Sequence, residues 1–152
     1  MSRRDQIRMS DAEIDEFLSG RHTMNVASCN HDGTIHLVAM WYAVLNGDPV
    51  FWTFGKSQKI LNLQRDPRTT LLVEAGDDYG ELIGVEIVGQ ATVLTEHADI
   101  MAIGEAVYAR YFGEVTDEVR PFVELTGAKR FGVRIKADRV VSWDHKKLDG
   151  AY

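Results

Sequence analysis

The sequence VFWTFGKSQKILNLQRDPR, residues 50–68, contains the local signals that decide how this chain folds. It predicts a short buried strand over residues 50–54, a tight turn at residues 55–56, and then a helix. Ser57 is a favourable N-cap residue. The helix is expected to end at Asp66, because the residue before a proline disfavours helical backbone angles. A strand that runs through a short turn into a helix therefore forms the centre of the predicted fold.

The start of this helix is suited to binding an anion. Thr53, Ser57 and Lys59 follow the spacing T-x-x-x-S-x-K across the turn. Backbone N–H groups at a helix N-terminus, together with the positive end of the helix dipole, attract anions. Two hydroxyls and a lysine would add donors and a full charge, which predicts a phosphate site. The same residues also fit an ordinary helix start, in which Ser57 caps and Lys59 faces solvent. No P-loop sequence is present.

Composition places the chain among ordinary globular proteins. It has 152 residues, of which 45% are apolar and 26% charged, and a formal net charge of −6. This length predicts one domain over residues 1–152, with loose tails at residues 1–9 and 146–152. An acidic chain does not predict nucleic-acid binding, which usually needs a basic face. With one cysteine, no span-length apolar run and no signal-peptide pattern, we expect no membrane insertion and a cytoplasmic location.

Turn signals and alternating apolar residues predict up to seven strands, with helices placed late in the chain. A capping box at Ser10 and Glu13 begins a first short helix. The longest helix is expected within residues 95–112, and a less regular one over residues 116–125. Early hairpins without a βαβ pattern favour an antiparallel sheet that curls into a barrel with peripheral helices. The expected strands are residues 23–29, 35–45, 50–54, 69–75, 85–94, 131–136 and 140–143. Gly84 and Gly89 are expected to be points of a bulge or of close approach in the strand that begins at residue 85.

Aromatic residues mark surfaces that need a partner. The strand over residues 35–45 is apolar on both faces, with Trp41 and Tyr42 adjacent. One face belongs to the core, and the other requires cover from a second subunit or a flat ligand. The remaining large aromatics lie at strand ends or in loops, which fits either a ring-binding groove or a dimer seam: Trp52, Tyr79 and Trp143.

Other catalytic signatures are absent from the sequence. The five histidines show no metal-ligand spacing, and no G-x-S-x-G motif is present, so neither a metal centre nor a serine hydrolase is predicted. His36 is the histidine expected nearest to a ligand, because its strand lies beside the predicted phosphate-binding helix. We assign no catalytic residue and no metal ligand from the sequence.

Four segments together resemble the flavin/deazaflavin oxidoreductases, of the F-420-dependent class B type, in the pyridoxamine 5'-phosphate oxidase-like FMN-binding split-barrel superfamily. They are DGTIHLVAMWY (residues 32–42), WTFGKSQKILNLQRDPR (52–68), GVEIVGQA (84–91) and RVVSWD (139–144). They cover nearly the whole chain in the right order, and the second segment is the most specific. The resemblance implies a mainly β (α+β) fold. Its form is an antiparallel, Greek-key-like split β-barrel of six or seven strands with peripheral helices.

The resemblance also implies a function. It indicates a homodimer with cofactor sites at the subunit interface, and an oxidoreductase that passes hydride to a flat, conjugated small-molecule acceptor. The cofactor is coenzyme F-420, which we favour, or FMN, and the hydride chemistry belongs to that cofactor. Its phosphate would lie on Thr53, Ser57 and Lys59, and its ring beside residues 36–40. The full set of expected cofactor-binding residues is His36, Val38, Ala39, Met40, Trp52, Thr53, Ser57, Gln58, Lys59, Asn62, Tyr79 and Trp143.

The alternative function is non-catalytic: a cofactor carrier, or a haem- or lipid-binding protein on the same barrel. An oxidoreductase would turn over its reduced cofactor with an acceptor, whereas a carrier would bind without turnover. A haem binder would show a Soret band, and His36 or His145 would be the candidate ligand.

Overall fold

The computed structural model describes residues 1–150, in which seven strands and five helices form around one sheet. Residues 151 and 152, which belong to the expected C-terminal tail, lie outside this range. The strands are β1 (Met24–Cys29), β2 (Ile35–Met40), β3 (Ala43–Leu45), β4 (Asp48–Phe54), β5 (Arg68–Ala75), β6 (Ile83–Leu94) and β7 (Arg130–Asp144). The helices are α1 (Arg3–Gln6), α2 (Asp11–Ser19), α3 (Gln58–Arg65), α4 (His97–Phe112) and α5 (Arg120–Gly127). None of these helices is long and apolar enough to span a membrane.

Every pairing in the sheet is antiparallel, and the strand order is β2-β1-β5-β6-β7-β4-β3. β2 and β3 are the two edge strands, and within residues 1–150 no hydrogen-bonded ladder joins them. The curled sheet therefore stays open between its edges. The expected mainly β split barrel with peripheral helices is confirmed.

The core lies inside the curl, where alternate strand residues point. Val26, Phe51 and Val133 are fully buried there, and Ile60 of α3 closes the same cluster. A second cluster covers the outer face of β4, where Val50 packs with Ile103 of α4. Because Phe51 belongs to the inner core and Val50 to the cluster with α4, β4 presents neighbouring residues to two different environments.

The strand expected over residues 35–45 is broken into β2 and β3. Tyr42 turns into the core, where its hydroxyl donates a 2.7 Å hydrogen bond to the Leu18 carbonyl. Trp41 turns outward and stacks on Tyr111, with ring centroids 4.4 Å apart. Trp41 and Tyr42 therefore lie between the two strands and anchor this connection to α4 and α2.

The two strands expected at residues 131–136 and 140–143 are one long strand, β7. The strand continues through a β-bulge, in which Asp138 of β7 is the extra residue between the pairs Val88–Arg139 and Gly89–Ala137. A Cβ at Gly89 would lie 2.2 Å from the Lys136 carbonyl oxygen, so only glycine permits this approach. The expectation of a bulge or close approach at Gly89 is confirmed. The remaining strands and α4 agree with the expected ranges to within two residues.

Two regions outside the sheet differ from the expectation. Residues 1–9 were expected to be loose, yet they contain α1, and Met9 is buried with its N–H donating to Ser142 Oγ at 3.1 Å. The helical segment expected over residues 116–125 begins later, at α5, with Pro121 in its first turn, where the missing N–H has no partner to lose. The N-terminus docks because β7 offers it a side-chain acceptor.

Candidate cofactor-binding site

The centre of the site is the junction between β4 and α3. Thr53 is buried on the inner face of β4, and Lys59 lies in the first turn of α3 with a residue exposure of 9%. Lys59 Nζ donates a 3.1 Å hydrogen bond to Thr53 Oγ1. The structure therefore brings together the first and last residues of the T-x-x-x-S-x-K spacing, with the lysine folded inward instead of facing solvent.

The charge on Lys59 is not neutralised by a carboxylate. Among the described residues Lys59 forms no ion pair. Burial lowers the pKa of Lys59, and the positive charge of Arg130 lowers it further. A buried cation without a counter-ion is unfavourable, and an anion bound beside it would reverse both effects. The junction thus has the electrostatics of an anion site.

Ser57 begins α3 as expected, with extended backbone angles of φ −69° and ψ 156°. Its side chain does not make the expected capping hydrogen bond. Ser57 Oγ is buried without a hydrogen-bond partner, which is uncommon for a buried polar atom. An unsatisfied hydroxyl and an uncompensated lysine, both at a helix N-terminus, fit the phosphate of a cofactor.

Asn62 has a different position from the other expected phosphate residues. It is fully buried, and its Oδ1 accepts hydrogen bonds from Gln58 Nε2 at 2.9 Å and Arg65 Nη2 at 3.2 Å. Its Nδ2 donates to Ser28 Oγ at 3.1 Å and to Asn30 Oδ1 at 2.9 Å. The amide thus uses its two donors and two acceptor positions within the protein. It holds α3 against β1 and has no free position for a ligand.

The expected ring-flanking residues of β2 divide between its two faces. His36 is paired with Ser28 of β1 and is half-buried with Val38 and Met40, on the side of α3. Its Nδ1 is buried and has no hydrogen-bond partner. Ala39 is exposed on the opposite face. That face also carries two strongly exposed apolar side chains, Ile35 and Leu37, which are 62% and 66% exposed.

Trp52 lies on the outer face of β4, opposite in direction to Thr53. Its ring sits against two glycines, because a Cβ added at Gly104 or Gly127 would lie 2.4 Å or 3.1 Å from it. The Arg130 guanidinium covers the ring at 5.1 Å from its centroid. A cavity of about 230 Å³ opens beside it, lined by Met40, Trp41, Trp52, Val107, Tyr108, Phe112, Phe122, Val123, Thr126 and Arg130. We call this cavity the aromatic groove.

Sequence reasoning missed most of the aromatic groove. Tyr108 had the helical spacing of a core residue, and nothing in the sequence distinguished it from the buried residues of α4. Arg130 reaches the site because β7 pairs with β4 in a register that places Arg130 opposite Phe54. The only available signal was the surplus of aromatic residues near the end of α4.

A family model described as pyridoxamine 5'-phosphate oxidase matches residues 10–147. The chain belongs to this family. A conserved hypothetical protein from Mycobacterium tuberculosis is 45% identical, with a TM-score of 0.93 over 98% of this chain and 93% of that one. No curated protein matches the chain significantly.

Two more distant solved structures share the fold. An F-420 reductase is 22% identical, with a TM-score of 0.65 over 83% of this chain and 94% of its own. The haem storage protein of Vibrio cholerae is 13% identical, with a TM-score of 0.68 over 87% of this chain and 94% of its own. Since the same split barrel occurs in proteins with these two descriptions, the fold alone does not select a function.

In this member of the pyridoxamine 5'-phosphate oxidase family, Tyr79 and Trp143 lie at the far end of β7 from Arg130. The Trp143 ring covers Gly84, where a Cβ would lie 2.3 Å from it, which confirms the expected close approach. Tyr79 meets His145 edge-on at 4.4 Å between ring centroids. One chain therefore does not bring these two residues to the Lys59 junction.

A larger cavity of about 790 Å³ lies between α2, α4 and the β3–β4 hairpin. Ile14, Leu18, Pro49, Ala106 and Arg110 are among its lining residues, and none of the expected cofactor-binding residues is. The larger cavity and the anion-binding features thus lie at different places in this family member. We place the candidate site at the Lys59 junction, because the uncompensated charge and the unsatisfied hydroxyl lie there.

Proposed function

We propose that this protein is an oxidoreductase that binds coenzyme F-420 or FMN and passes hydride to a flat, conjugated small molecule. The observation that carries this proposal is Lys59, a buried lysine at a helix N-terminus with a lowered pKa and no ion-pair partner among the described residues. Membership of the pyridoxamine 5'-phosphate oxidase family and the fold shared with an F-420 reductase support it.

The residues of this chain would bind and orient the cofactor. Thr53, Ser57 and Lys59 would hold its phosphate, and His36 and Met40 on the inner side of β2 would flank its ring. A bound deazaflavin or flavin supplies hydride-transfer chemistry, so the protein needs to supply position, electrostatics and exclusion of water. The half-buried side chains of β2 and the Trp41 ring at the open seam between β2 and β3 are suited to excluding water.

Basic residues near the junction favour F-420 over FMN. The phosphate of F-420 continues into a tail with carboxylates, which needs further cations along its path. Lys56 is exposed just before α3, and Arg65 is exposed at its last position. The Lys129 carbonyl accepts a hydrogen bond from the Gly55 N–H, which places Lys129 at the same turn as Lys56. In a chain with a net charge of −6, this local excess of cations is consistent with an anionic tail.

The test is a fluorescence titration of the purified apo protein with F-420 and with FMN. Replacing Lys59 by alanine should weaken binding of the true cofactor by about 1.5–3 kcal/mol, or about 10- to 150-fold, because a charge-assisted hydrogen bond is lost. Lys136→Ala is the matched control, since Lys136 is an exposed lysine of β7 that has no part in the proposed site and should leave affinity unchanged. Equal affinity of the Lys59→Ala variant and the wild type would rule out the phosphate assignment.

We also propose that a second copy of the chain covers the exposed face of β2 and brings Tyr79 and Trp143 to the site. Ile35 and Leu37 lie side by side on that face. Two strongly exposed apolar side chains on an edge strand are more apolar surface than a monomer usually exposes there. Light scattering should show a dimer, and Leu37→Lys should raise its dissociation constant about 10- to 100-fold. Val44→Lys, an exposed apolar position on the other edge strand, is the control and should leave the dimer intact.

Haem binding is the second candidate function, because the buried Nδ1 of His36 has no partner in the open seam. A Soret band that is lost in His36→Ala, together with no binding of F-420 or FMN, would favour it. The absence of a Soret band after haem addition would exclude haem binding as the function.

A further inference from the structure

The aromatic groove is open to solvent, although its walls are apolar. Phe112 and Phe122 are 63% and 59% exposed, and Trp41 is 45% exposed. The rings are ordered against one another, since Tyr108 lies 5.1 Å from Phe112 and 6.4 Å from Phe122 between ring centroids. Large apolar side chains that cluster at the surface around a cavity mark a binding site more often than chance exposure.

One end of the groove carries a cation whose hydrogen-bonding edge is unused. The central carbon of the Arg130 guanidinium lies over the Trp52 ring, 5.1 Å from its centroid. Within residues 1–150, the Arg130 side chain forms neither a hydrogen bond nor an ion pair. The N–H groups of Arg130 are therefore left for a ligand, and a guanidinium can donate two parallel hydrogen bonds to the two oxygens of a carboxylate.

The shape of the groove limits what it holds. Its volume of about 230 Å³ is below the usual range for drug-sized ligands, so it suits a molecule of one or two rings. Aromatic walls favour a planar ring, and a guanidinium at one end favours a carboxylate attached to that ring. The acid of α4 that lies close to α5, Glu105, is paired with Arg120 and does not neutralise Arg130.

We propose that the aromatic groove binds a planar aromatic or conjugated carboxylate of one or two rings, with its carboxylate on Arg130 and its ring against the aromatic wall. Met40 and Trp52 belong both to this groove and to the expected cofactor site, so the ligand would lie next to the cofactor. Its role as the hydride acceptor rests on the proposed function. The binding of the carboxylate itself does not.

The experiment uses the full-length apo protein and 1-naphthoate as the probe, with 1-naphthalenemethanol as its neutral counterpart. Calorimetry should show that naphthoate binds at least about tenfold more tightly than the alcohol, and that Arg130→Gln removes this preference. Arg130→Lys, which keeps the charge but not the planar fork, should have intermediate affinity. Arg139→Gln is the matched control, because Arg139 lies on the same strand and is paired only weakly, at 3.6 Å from Glu86.

The location is read from the three tryptophan indole N–H signals in a ¹⁵N NMR spectrum, assigned by single Trp→Phe variants. Naphthoate should shift the signals of Trp41 and Trp52, which line the groove, and leave that of Trp143 unchanged. Circular dichroism confirms that each variant is folded. Equal naphthoate affinity in the wild type and Arg130→Gln, or a shift confined to Trp143, would overturn the proposal.

Two further outcomes separate this proposal from the proposed function. If Arg130→Gln weakens F-420 or FMN binding and leaves naphthoate binding unchanged, Arg130 serves the cofactor and the proposal fails. If naphthoate binds through Arg130 while neither cofactor binds, the groove assignment stands and the proposed oxidoreductase function fails.

Discussion

Lys59 and Arg130 are two cations at the same end of β4, on opposite sides of the strand. Lys59 lies on the inner side, buried and hydrogen-bonded to Thr53, with its pKa lowered by burial. Arg130 lies on the outer side, half-buried, with its guanidinium over the Trp52 ring. Neither has a carboxylate partner among the described residues. The inner side is thus prepared for a compact anion at a fixed point, and the outer side for a flat one.

The two sides also obtain their rigidity differently. The inner side is held by hydrogen bonds, above all by the four that Asn62 makes between α3, β1 and the turn after it. The outer side is shaped by missing side chains, because Gly104 and Gly127 leave the room that the Trp52 ring fills. A substitution that removes the Asn62 hydrogen bonds should therefore affect the inner side alone, and one that fills the space beside Trp52 should affect the outer side alone.

The largest effect is expected from Asn62→Ala. Removing the amide leaves buried polar groups of β1 and α3 without partners, which should lower the free energy of unfolding by about 2–4 kcal/mol. Urea denaturation measures this, and Gln64→Ala, at an exposed position of the same helix, is the control. A loss below about 0.5 kcal/mol would show that the network does not hold α3 in place.

A smaller effect is expected from Gly104→Val. The new side chain would overlap the Trp52 ring, displace it and narrow the aromatic groove, with a loss of about 1–3 kcal/mol. Thermal unfolding measures the loss, while naphthoate binding should weaken and phosphate-dependent cofactor binding should not. Ala102→Val, on the exposed face of the same helix, separates the effect of a β-branched residue in a helix from the overlap. Equal behaviour of the two valine variants would contradict the packing explanation.

The smallest effect is expected from Lys59→Met. Methionine removes the buried charge at similar volume, so at neutral pH the variant should be as stable as the wild type or more stable by up to about 1 kcal/mol. In the unfolded chain the lysine binds its proton more tightly than in the folded protein. Wild-type stability should therefore rise, relative to the variant, as the pH increases from the lowered pKa towards the ordinary value of 10.5.

Denaturation of both proteins between neutral pH and 10.5 measures the difference in stability. Lys56→Met is the control, because an exposed lysine should give no such pH-dependent difference. A fall in wild-type stability relative to Lys59→Met as the pH rises would contradict the burial of an uncompensated charge at Lys59.

The sequence by itself determined the strand–turn–helix unit and the close approaches of Gly84 and Gly89. The start of α3 at Ser57 and its end at Asp66 depend on neighbours a few residues away, so local chemistry was sufficient to predict them. The resemblance of four segments added the family and the split barrel, which the comparisons confirm. Thr53 and Lys59 also came together as their spacing suggested.

Only the tertiary structure decided the features that depend on distant parts of the chain. The Tyr42 hydroxyl donates to the Leu18 carbonyl, the Met9 N–H donates to Ser142 Oγ, and the Asn62 amide donates to Ser28 Oγ of β1. Arg130 joins Trp52 through the pairing of β7 with β4, about eighty positions apart in sequence. Such contacts leave no signal in the neighbouring sequence, because the residues that form them are far apart in the chain. The packing of the whole sheet determines which of them do.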